Sequence, residues 1–293
     1  ALEHGVMPAT VIEDAPFSGE NGWSPQNSDG RFDGPLTLRE ALAKSRNLVS
    51  VRLLQQIGTA PVREWAARLG LDAARQPDNL TLALGTGSVT PMQMAQAYAA
   101  LANGGWRVDP VLVERITDAR GKVLFDAAPP LAPGDEARAL PARNVFVTAS
   151  LLADVTRVGT AARAQRELRR SDVHGKTGTT NDAVDAWFAG FQASRAAVAW
   201  MGFDEPRSLG EGESGGGLAL PIWIEYMATA LKGVPMAAPG PPPEGLVRQG
   251  DDWLYSEWAD GGWVQRIGAD GGVTRAAPAT AAQSASAPAS AAP

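Results

Sequence analysis

The sequence has no cysteine and only two histidines, at positions 4 and 174. Without cysteine there are no disulfides and no thiolate chemistry, and with so few histidines we do not expect a His/Cys metal site. Lysine is also scarce, since four of the 26 basic residues are lysines, at positions 44, 122, 176 and 232. Lys176 stands out among them because it lies in a run of small and hydroxyl residues, HGKTGTT.

The chain also lacks a surplus of positive charge and a long apolar run. Its formal net charge is −6 and its isoelectric point is about 5.1, which argues against a nucleic-acid partner. No uninterrupted apolar run approaches the roughly 18 residues of a membrane-spanning helix. The longest candidate, 218–231, contains Pro221 and Glu225 and is predicted to be an amphipathic helix.

Turn residues and apolar spacing predict the elements along the chain. The density of Gly, Pro, Asn and Ser predicts a loop at 18–35, and Thr37 with Glu40 forms a capping box that predicts a helix start. Further helices are predicted at 49–57, 61–69, 90–103, 141–157 and 218–232. A β-hairpin is predicted at 111–126, and neighbouring antiparallel strands are predicted at 172–180, 184–191 and 195–203.

Composition divides the chain into four predicted parts. The 293 residues, 44% of them hydrophobic, are enough for a large core, which we place in a domain at 1–236. A Pro-rich linker is predicted at 237–245. The segment 246–275 contains three tryptophans and is predicted to be a small β-like appendage with its own hydrophobic core. The Ala/Pro/Ser-rich tail at 276–293 is predicted to be disordered.

Two short motifs carry the functional signal: Ser45-Arg46-Asn47 and Lys176-Thr177-Gly178. Taken alone, the first is explained by two helix ends that need capping, and the second by a lysine on a solvated strand edge. Taken together, S-x-N and K-T-G accompany S-x-x-K in the signature of penicillin-recognising serine enzymes.

The surroundings of both motifs resemble the transpeptidase domain of class A, bifunctional penicillin-binding proteins. The matching segments keep the order and spacing of that family, from Ala1 to about Lys232: LREALAKSRNLVSVRLLQQIG, ALGTGSVTPMQMAQAYAALANGG and HGKTGTTNDAVDAWFAGF. The resemblance implies the α/β (α+β) fold shared with serine β-lactamases, an antiparallel sheet with helices on both faces. It also implies a place on the periplasmic side of the inner membrane, reached through an N-terminal anchor and glycosyltransferase part.

One departure concerns the nucleophile, which in the family is the serine of S-x-x-K. No lysine here has a serine three positions earlier, where the residues are Ala41, Ala119, Val173 and Thr229. In the family, the segment that ALEHGVMPAT resembles lies just after that motif, on the same helix. We therefore expect the chain to begin about ten residues downstream of the nucleophile and to lack the N-terminal part of the fold.

The resemblance also implies roles for the residues that are present. Ser45 and Lys176 would relay a proton to the leaving amine, after a serine attacks the penultimate D-Ala of a peptidoglycan stem peptide. Asn47 would hold a substrate amide and orient the absent lysine. No cofactor is implied, and the expected partners are stem peptides and β-lactams.

The rest of the strand is expected to bind the substrate. Thr177 and Thr179 would hold the terminal carboxylate, with Thr180 beside them, and the backbone N–H of Thr179 would supply one oxyanion donor. Gly178 would let an extended peptide pair along the strand. His174 shares a face of this strand with Lys176, but we interpret it as structural rather than as a general base.

Two alternatives to a transpeptidase stay open. A D,D-carboxypeptidase or β-lactamase of the same fold would use water as the acceptor. A non-catalytic scaffold module would have lost its nucleophile.

Overall fold

The computed structural model describes residues 1–127 and 138–278. Its α-helices are α1 (Leu38–Lys44), α2 (Asn47–Ile57), α3 (Thr59–Arg68), α4 (Pro91–Ala102), α5 (Ala142–Arg157), α6 (Arg163–Leu168) and α7 (Leu220–Ala230). Its strands are β1 (Val6–Asp14), β2 (Gly34–Thr37), β3 (Arg115–Thr117), β4 (Val123–Asp126), β5 (His174–Thr179), β6 (Ala186–Gln192), β7 (Arg195–Met201), β8 (Leu246–Gln249), β9 (Asp252–Tyr255), β10 (Val264–Ile267) and β11 (Val273–Arg275).

The antiparallel sheet β5-β6-β7 has helices on both faces, as the family resemblance implies. On one face Trp223 of α7 packs against Phe188, with ring centroids 4.9 Å apart. On the other face Tyr98 of α4 packs against Phe191 at 6.4 Å. Because Phe188 and Phe191 are an odd number of positions apart on β6, their side chains point to opposite faces. The mixed α/β architecture is confirmed.

The helix that leads to the first motif begins where the capping box predicts. The Thr37 hydroxyl accepts the backbone N–H of Glu40, and the Glu40 carboxylate accepts the N–H of Thr37. Two backbone donors at the start of α1 are thereby satisfied. The last turn of α1 ends at Ser45, and α2 starts two residues later.

A second sheet, with strand order β11-β10-β1-β2, joins the two ends of the described chain. Strand β1 pairs in parallel with β10, so that Val6 lies opposite Val264. The segment 246–275 therefore packs into the fold: Leu254, Tyr255 and Trp263 are buried in one cluster with Leu2 and Met7. Where domains should be divided along the chain stays a prediction.

The N-terminal segment ends a helical turn at Gly5 and continues as a strand. Only Leu2–His4 form a short 3-10 turn, which ends at Gly5 with a φ of 80°, and the chain then runs as strand β1. Apolar burial explains the strand, since Val6, Met7 and Ile12 are at most 2% exposed. Strand β1 itself was not predicted from the sequence.

Two further observations concern the predicted tail and the membrane. Apart from its first three residues, the tail predicted at 276–293 lies outside the described residues. Within 1–127 and 138–278, no helix combines the length and the apolar character that crossing a bilayer requires.

Candidate active site

The two motifs meet in space, although 131 residues separate them in the chain. The Lys176 ammonium donates a hydrogen bond of 2.7 Å to the Ser45 hydroxyl, from β5 to the end of α1. It also lies 3.0 Å from the backbone carbonyl of Thr177. A lysine and a serine in direct contact form the centre of the candidate site.

Ser45 occupies a left-handed backbone conformation, with a φ of 57° and a ψ of 49°. This region costs a residue with a Cβ about 1–2 kcal/mol, so the surrounding contacts must hold Ser45 in place. Its N–H donates to the Leu42 carbonyl at 3.1 Å, and the next N–H, of Arg46, donates to the Ala41 carbonyl at 2.9 Å. The turn thereby points the serine hydroxyl toward β5.

Arg46 fastens this turn to the loop that precedes it. Its guanidinium donates to the carboxylates of Asp29 at 2.9 Å and Asp33 at 2.7 Å, and its Nε lies 3.7 Å from Asp14, which is fully buried. A backbone N–H bond and Arg46 lower the pKa of Asp29, and Lys44 and Arg46 lower that of Asp33. The turn is thus held by a cluster of paired charges.

Lys176 lies in surroundings that favour its neutral form. Burial lowers the pKa of Lys176 from its usual value near 10.5 to about 8. Among the described residues no carboxylate near it opposes this shift, and burial is its cause. A lysine with a pKa near 8 can both give and take a proton close to neutral pH.

Asn47 contacts the loop before α1 rather than the Ser45–Lys176 pair. Its side-chain amide donates to the Gln26 carbonyl at 2.8 Å, and its backbone N–H donates to the side-chain oxygen of Asn27 at 2.9 Å. Asn27 in turn donates to the buried carboxylate of Asp14. The structure therefore brings Ser45 and Lys176 together, but gives Asn47 no hydrogen bond to either.

The hydroxyl groups of β5 and of Thr180, which follows it, each have a partner within the protein. Thr177 is hydrogen-bonded to the Thr160 hydroxyl at 2.8 Å. The Thr179 hydroxyl oxygen accepts the N–H of Gly215 at 3.0 Å, and that of Thr180 accepts the N–H of Asp185 at 2.7 Å. Because the last two oxygens act as acceptors, their hydroxyl hydrogens stay available for a ligand.

Glycines allow close packing around this strand. A Cβ on Gly178 would lie 3.2 Å from the Cβ of Trp187, the residue that pairs with it on β6. A Cβ on Gly215 would lie only 2.3 Å from the Trp187 carbonyl and 2.4 Å from that of Gly178. Only glycine fits at position 215, where its N–H meets Thr179.

His174 has a packing role at the other end of β5. Its Nδ1 lies 3.1 Å from the carbonyl of Ala149, and its ring stacks on Phe191 at 4.9 Å. Burial lowers the pKa of this histidine, which favours the neutral ring. It lies on the same face as Lys176 but does not contact it.

Reasoning from the sequence did not identify Thr160 and Gly215. The signals are present but weak: Thr160 follows a glycine at the end of a predicted helix, and Gly215 opens the triplet Gly-Gly-Gly. A cavity of about 880 Å³ elsewhere, between Phe17, Trp23, Leu54 and Asn79, does not include Ser45 or Lys176.

Comparisons with known proteins identify the family of the chain. The family model of the penicillin binding protein transpeptidase domain matches residues 1–207. The chain belongs to this family.

Several similar relatives are penicillin-binding protein 1A from different bacteria. That of Neisseria lactamica is 44% identical over 241 residues, which cover 80% of this chain and 30% of the relative. That of Pseudomonas aeruginosa is 38% identical, over 83% of this chain and 36% of the relative. The chain therefore spans about a third of the length of these relatives.

Solved structures give the same result. The crystal structure of penicillin-binding protein 1A from Haemophilus influenzae has a TM-score of 0.79 and 32% identity, covering 87% of this chain and 46% of that one. The penicillin-binding protein PonA1 from Mycobacterium tuberculosis has a TM-score of 0.70 and 27% identity, covering 85% of this chain and 73% of that one.

Proposed function

We propose that this chain is the C-terminal part of a bifunctional, membrane-anchored penicillin-binding protein and forms one side of its D,D-transpeptidase site. The substrates are peptidoglycan stem peptides on the periplasmic side of the inner membrane, and β-lactams are inhibitors. Two observations support this proposal: the chain belongs to the transpeptidase family, and it spans about a third of the length of its relatives. Because the chain has no S-x-x-K and spans about a third of its relatives' length, the proposal assigns the nucleophilic serine, its lysine, the anchor and the glycosyltransferase to a part of the longer protein outside these 293 residues.

The observation that carries the proposal is the 2.7 Å hydrogen bond from Lys176 to Ser45, with a lysine pKa of about 8. When the nucleophilic serine attacks the penultimate D-Ala carbonyl, the leaving D-Ala amine needs a proton. The Ser45 hydroxyl gives that proton and recovers one from Lys176. In the second half-reaction the incoming amine of another stem peptide loses a proton along the same path in reverse.

The hydroxyl groups of β5 are suited to the carboxylate end of the substrate. The Thr179 oxygen already accepts an N–H from Gly215, so its own hydrogen is free to donate to a carboxylate oxygen. Thr177 and Thr180 lie on either side of Thr179 and Gly178 along the same segment. The backbone N–H of Thr179 is the proposed oxyanion donor, a kind of group whose loss typically costs about 10²–10³ in rate.

Asn47 is proposed to bind a substrate amide through its side-chain oxygen. Its amide nitrogen is engaged by Gln26, whereas its oxygen accepts no hydrogen bond from the residues that the structure describes. Because Gln26 fixes the amide, the oxygen has a defined direction before substrate arrives.

Labelling with a fluorescent penicillin tests the proposal. The longer protein, which includes the residues preceding Ala1, should be labelled, and the 293-residue chain alone should not. Replacing Lys176 by Ala in the longer protein should slow acylation by about 100-fold or more, because a proton relay typically contributes 10²–10⁴. Replacing the exposed Lys44 by Ala is the matched control and should leave the rate within about twofold.

Two results would contradict the proposal. Covalent labelling of the 293-residue chain would show that a nucleophile lies within it. Equal rates for the Lys176 and Lys44 variants would remove Lys176 from the proton path. Analysis of products from a stem peptide and an amine acceptor separates cross-linking from simple trimming, which a carboxypeptidase would give.

A further inference from the structure

Thr160 lies between the two halves of the candidate site and is hydrogen-bonded to both. Its backbone N–H donates at 3.1 Å to the carbonyl of Ala43, in the last turn of α1 and two residues before Ser45. Its hydroxyl lies 2.8 Å from that of Thr177, the neighbour of Lys176 on β5. Thr160 therefore links the serine turn to the lysine strand.

The backbone around Thr160 is fixed by close packing. A Cβ on the preceding residue, Gly159, would lie 2.2 Å from the Ala43 carbonyl oxygen and 2.9 Å from the Cα of Val155. The turn that ends α5 thus contacts the last turn of α1 at a distance that only glycine permits. This contact fixes the position from which the Thr160 side chain reaches β5.

Burial does not explain why a threonine stands at position 160. Thr160 is exposed, whereas the next residue, Ala161, is fully buried. An exposed threonine contributes little to a core, yet this one makes a side-chain hydrogen bond across 17 residues to Thr177. The contact lies at the surface where a ligand of Lys176 and Thr177 would bind.

The direction of the Thr160–Thr177 hydrogen bond determines what Thr177 can offer. Two hydroxyls at 2.8 Å share one hydrogen, and the donor can be either. The Lys176 ammonium also approaches the Thr177 oxygen, at 3.5 Å. If Thr160 donates as well, the two acceptor sites of that oxygen are engaged, and the Thr177 hydrogen must point outward.

We infer that Thr160 is a positioning residue for the substrate carboxylate: it donates to Thr177 and turns the Thr177 hydroxyl toward the ligand. This inference rests on the proposed function. Thr160 itself acts through Thr177, because its donated hydrogen is engaged there. A chain of donors that ends on a carboxylate also strengthens the last hydrogen bond.

The test uses the longer protein with a penicillin and with the methyl ester of that penicillin, which lacks the negative charge. Replacing Thr160 by Val keeps the shape and removes the hydroxyl. The Thr160→Val change should slow acylation by the penicillin about tenfold, the size expected for a hydrogen bond to a charged group. It should leave the rate of acylation by the ester within about twofold. Replacing Thr160 by Ser keeps the hydroxyl and should restore the preference for the free acid.

A double-mutant cycle checks that the effect passes through Thr177. Once Thr177 is replaced by Val, the Thr160→Val change should have no further effect on the ratio of the two rates. Three results would overturn this inference while leaving the proposed function intact. They are an equal loss of acylation rate with penicillin and with the ester, an unchanged ratio of the two rates in Thr160→Val, and a full additional loss in the double variant. No acylation of the unmutated longer protein would overturn the proposed function and this inference with it.

Discussion

The two halves of the Ser45–Lys176 pair are held by different forces. The turn that carries Ser45 is held by charge, through Arg46 and its carboxylate partners. The strand that carries Lys176 is held by apolar packing, with Phe188 and Trp223 at most 1% exposed behind it. One half of the site therefore depends on ion pairs, and the other on the hydrophobic effect.

This difference keeps acidic groups away from the lysine. A carboxylate beside Lys176 would stabilise the ammonium and raise its pKa. The acids of the serine half, Asp14, Asp29 and Asp33, are instead engaged by Arg46. Hydroxyl and carbonyl oxygens are what Lys176 meets, so burial can lower its pKa without opposition.

The largest effect is expected from removing apolar packing behind the strand. Replacing Trp223 by Ala should lower the free energy of unfolding by about 4 kcal/mol, because a buried aromatic side chain leaves a cavity. Replacing Trp200, which is 39% exposed, should cost about 1 kcal/mol or less. Urea unfolding measures both. Equal losses, or a Trp223 effect that depends on salt, would contradict the apolar account of this half.

A smaller effect of opposite sign is expected from Lys176 itself. Its pKa is about 8 in the fold and near 10.5 when unfolded, so the charged form destabilises the fold below pH 8. Replacing Lys176 by Met should therefore stabilise the chain by about 2 kcal/mol at pH 7. The gain should shrink between pH 8 and 10.5, where the lysine is already neutral in the folded chain and loses its charge in the unfolded chain.

Unfolding curves at pH 7 and pH 10.5 measure this gain. The exposed Lys232 is the control, and its replacement by Met should change stability by less than about 0.5 kcal/mol at either pH. A destabilised Lys176→Met variant at pH 7 would show that the ammonium is stabilised by its surroundings rather than penalised.

The smallest of these effects is expected from the charged half. Replacing Arg46 by Met should cost about 1–2 kcal/mol, since its partners Asp29 and Asp33 are partly exposed whereas Asp14 is buried. Replacing Lys44, which shares Asp33 and is half exposed, should cost less than about 0.5 kcal/mol.

The dependence on salt and pH distinguishes the stability contribution of Arg46 from that of Trp223. The lowered pKa values of Asp29 and Asp33 mean that the Arg46 contribution is present above about pH 4 and is lost as the pH falls through those values. The Arg46 effect should also shrink at high salt. Melting curves at several pH values and salt concentrations check this, and an Arg46 effect that persists at pH 2 would refute an electrostatic origin.

Local patterns predicted the elements and the central pair. Apolar periodicity and turn residues predicted most of the helices and the strands of the β5–β7 sheet, and the capping box at Thr37 predicted the start of α1. Two motifs predicted that Ser45 and Lys176 would meet. These features depend on residues close in sequence or on a pattern shared by a family.

The remaining features depend on contacts between distant segments. The hydrogen bond of Asn47 to the Gln26 carbonyl requires the fold of a loop that carries no pattern of its own. The link from Thr160 to Thr177 and the fit of Gly215 against β5 arise from packing alone. The strand β1 was missed because its burial depends on β10, more than 250 positions away.

The pairing of β1 with β10 also has a consequence for how the chain is made. Val6 leaves the ribosome long before Val264, by some 10–50 s at ordinary rates of synthesis of about 5–20 residues per second. Until then one edge of β1 has no strand beside it, and an open strand edge can pair with another chain. A nascent chain therefore cannot finish this sheet before its C-terminal segment appears, which makes premature termination near residue 260 a route to aggregation.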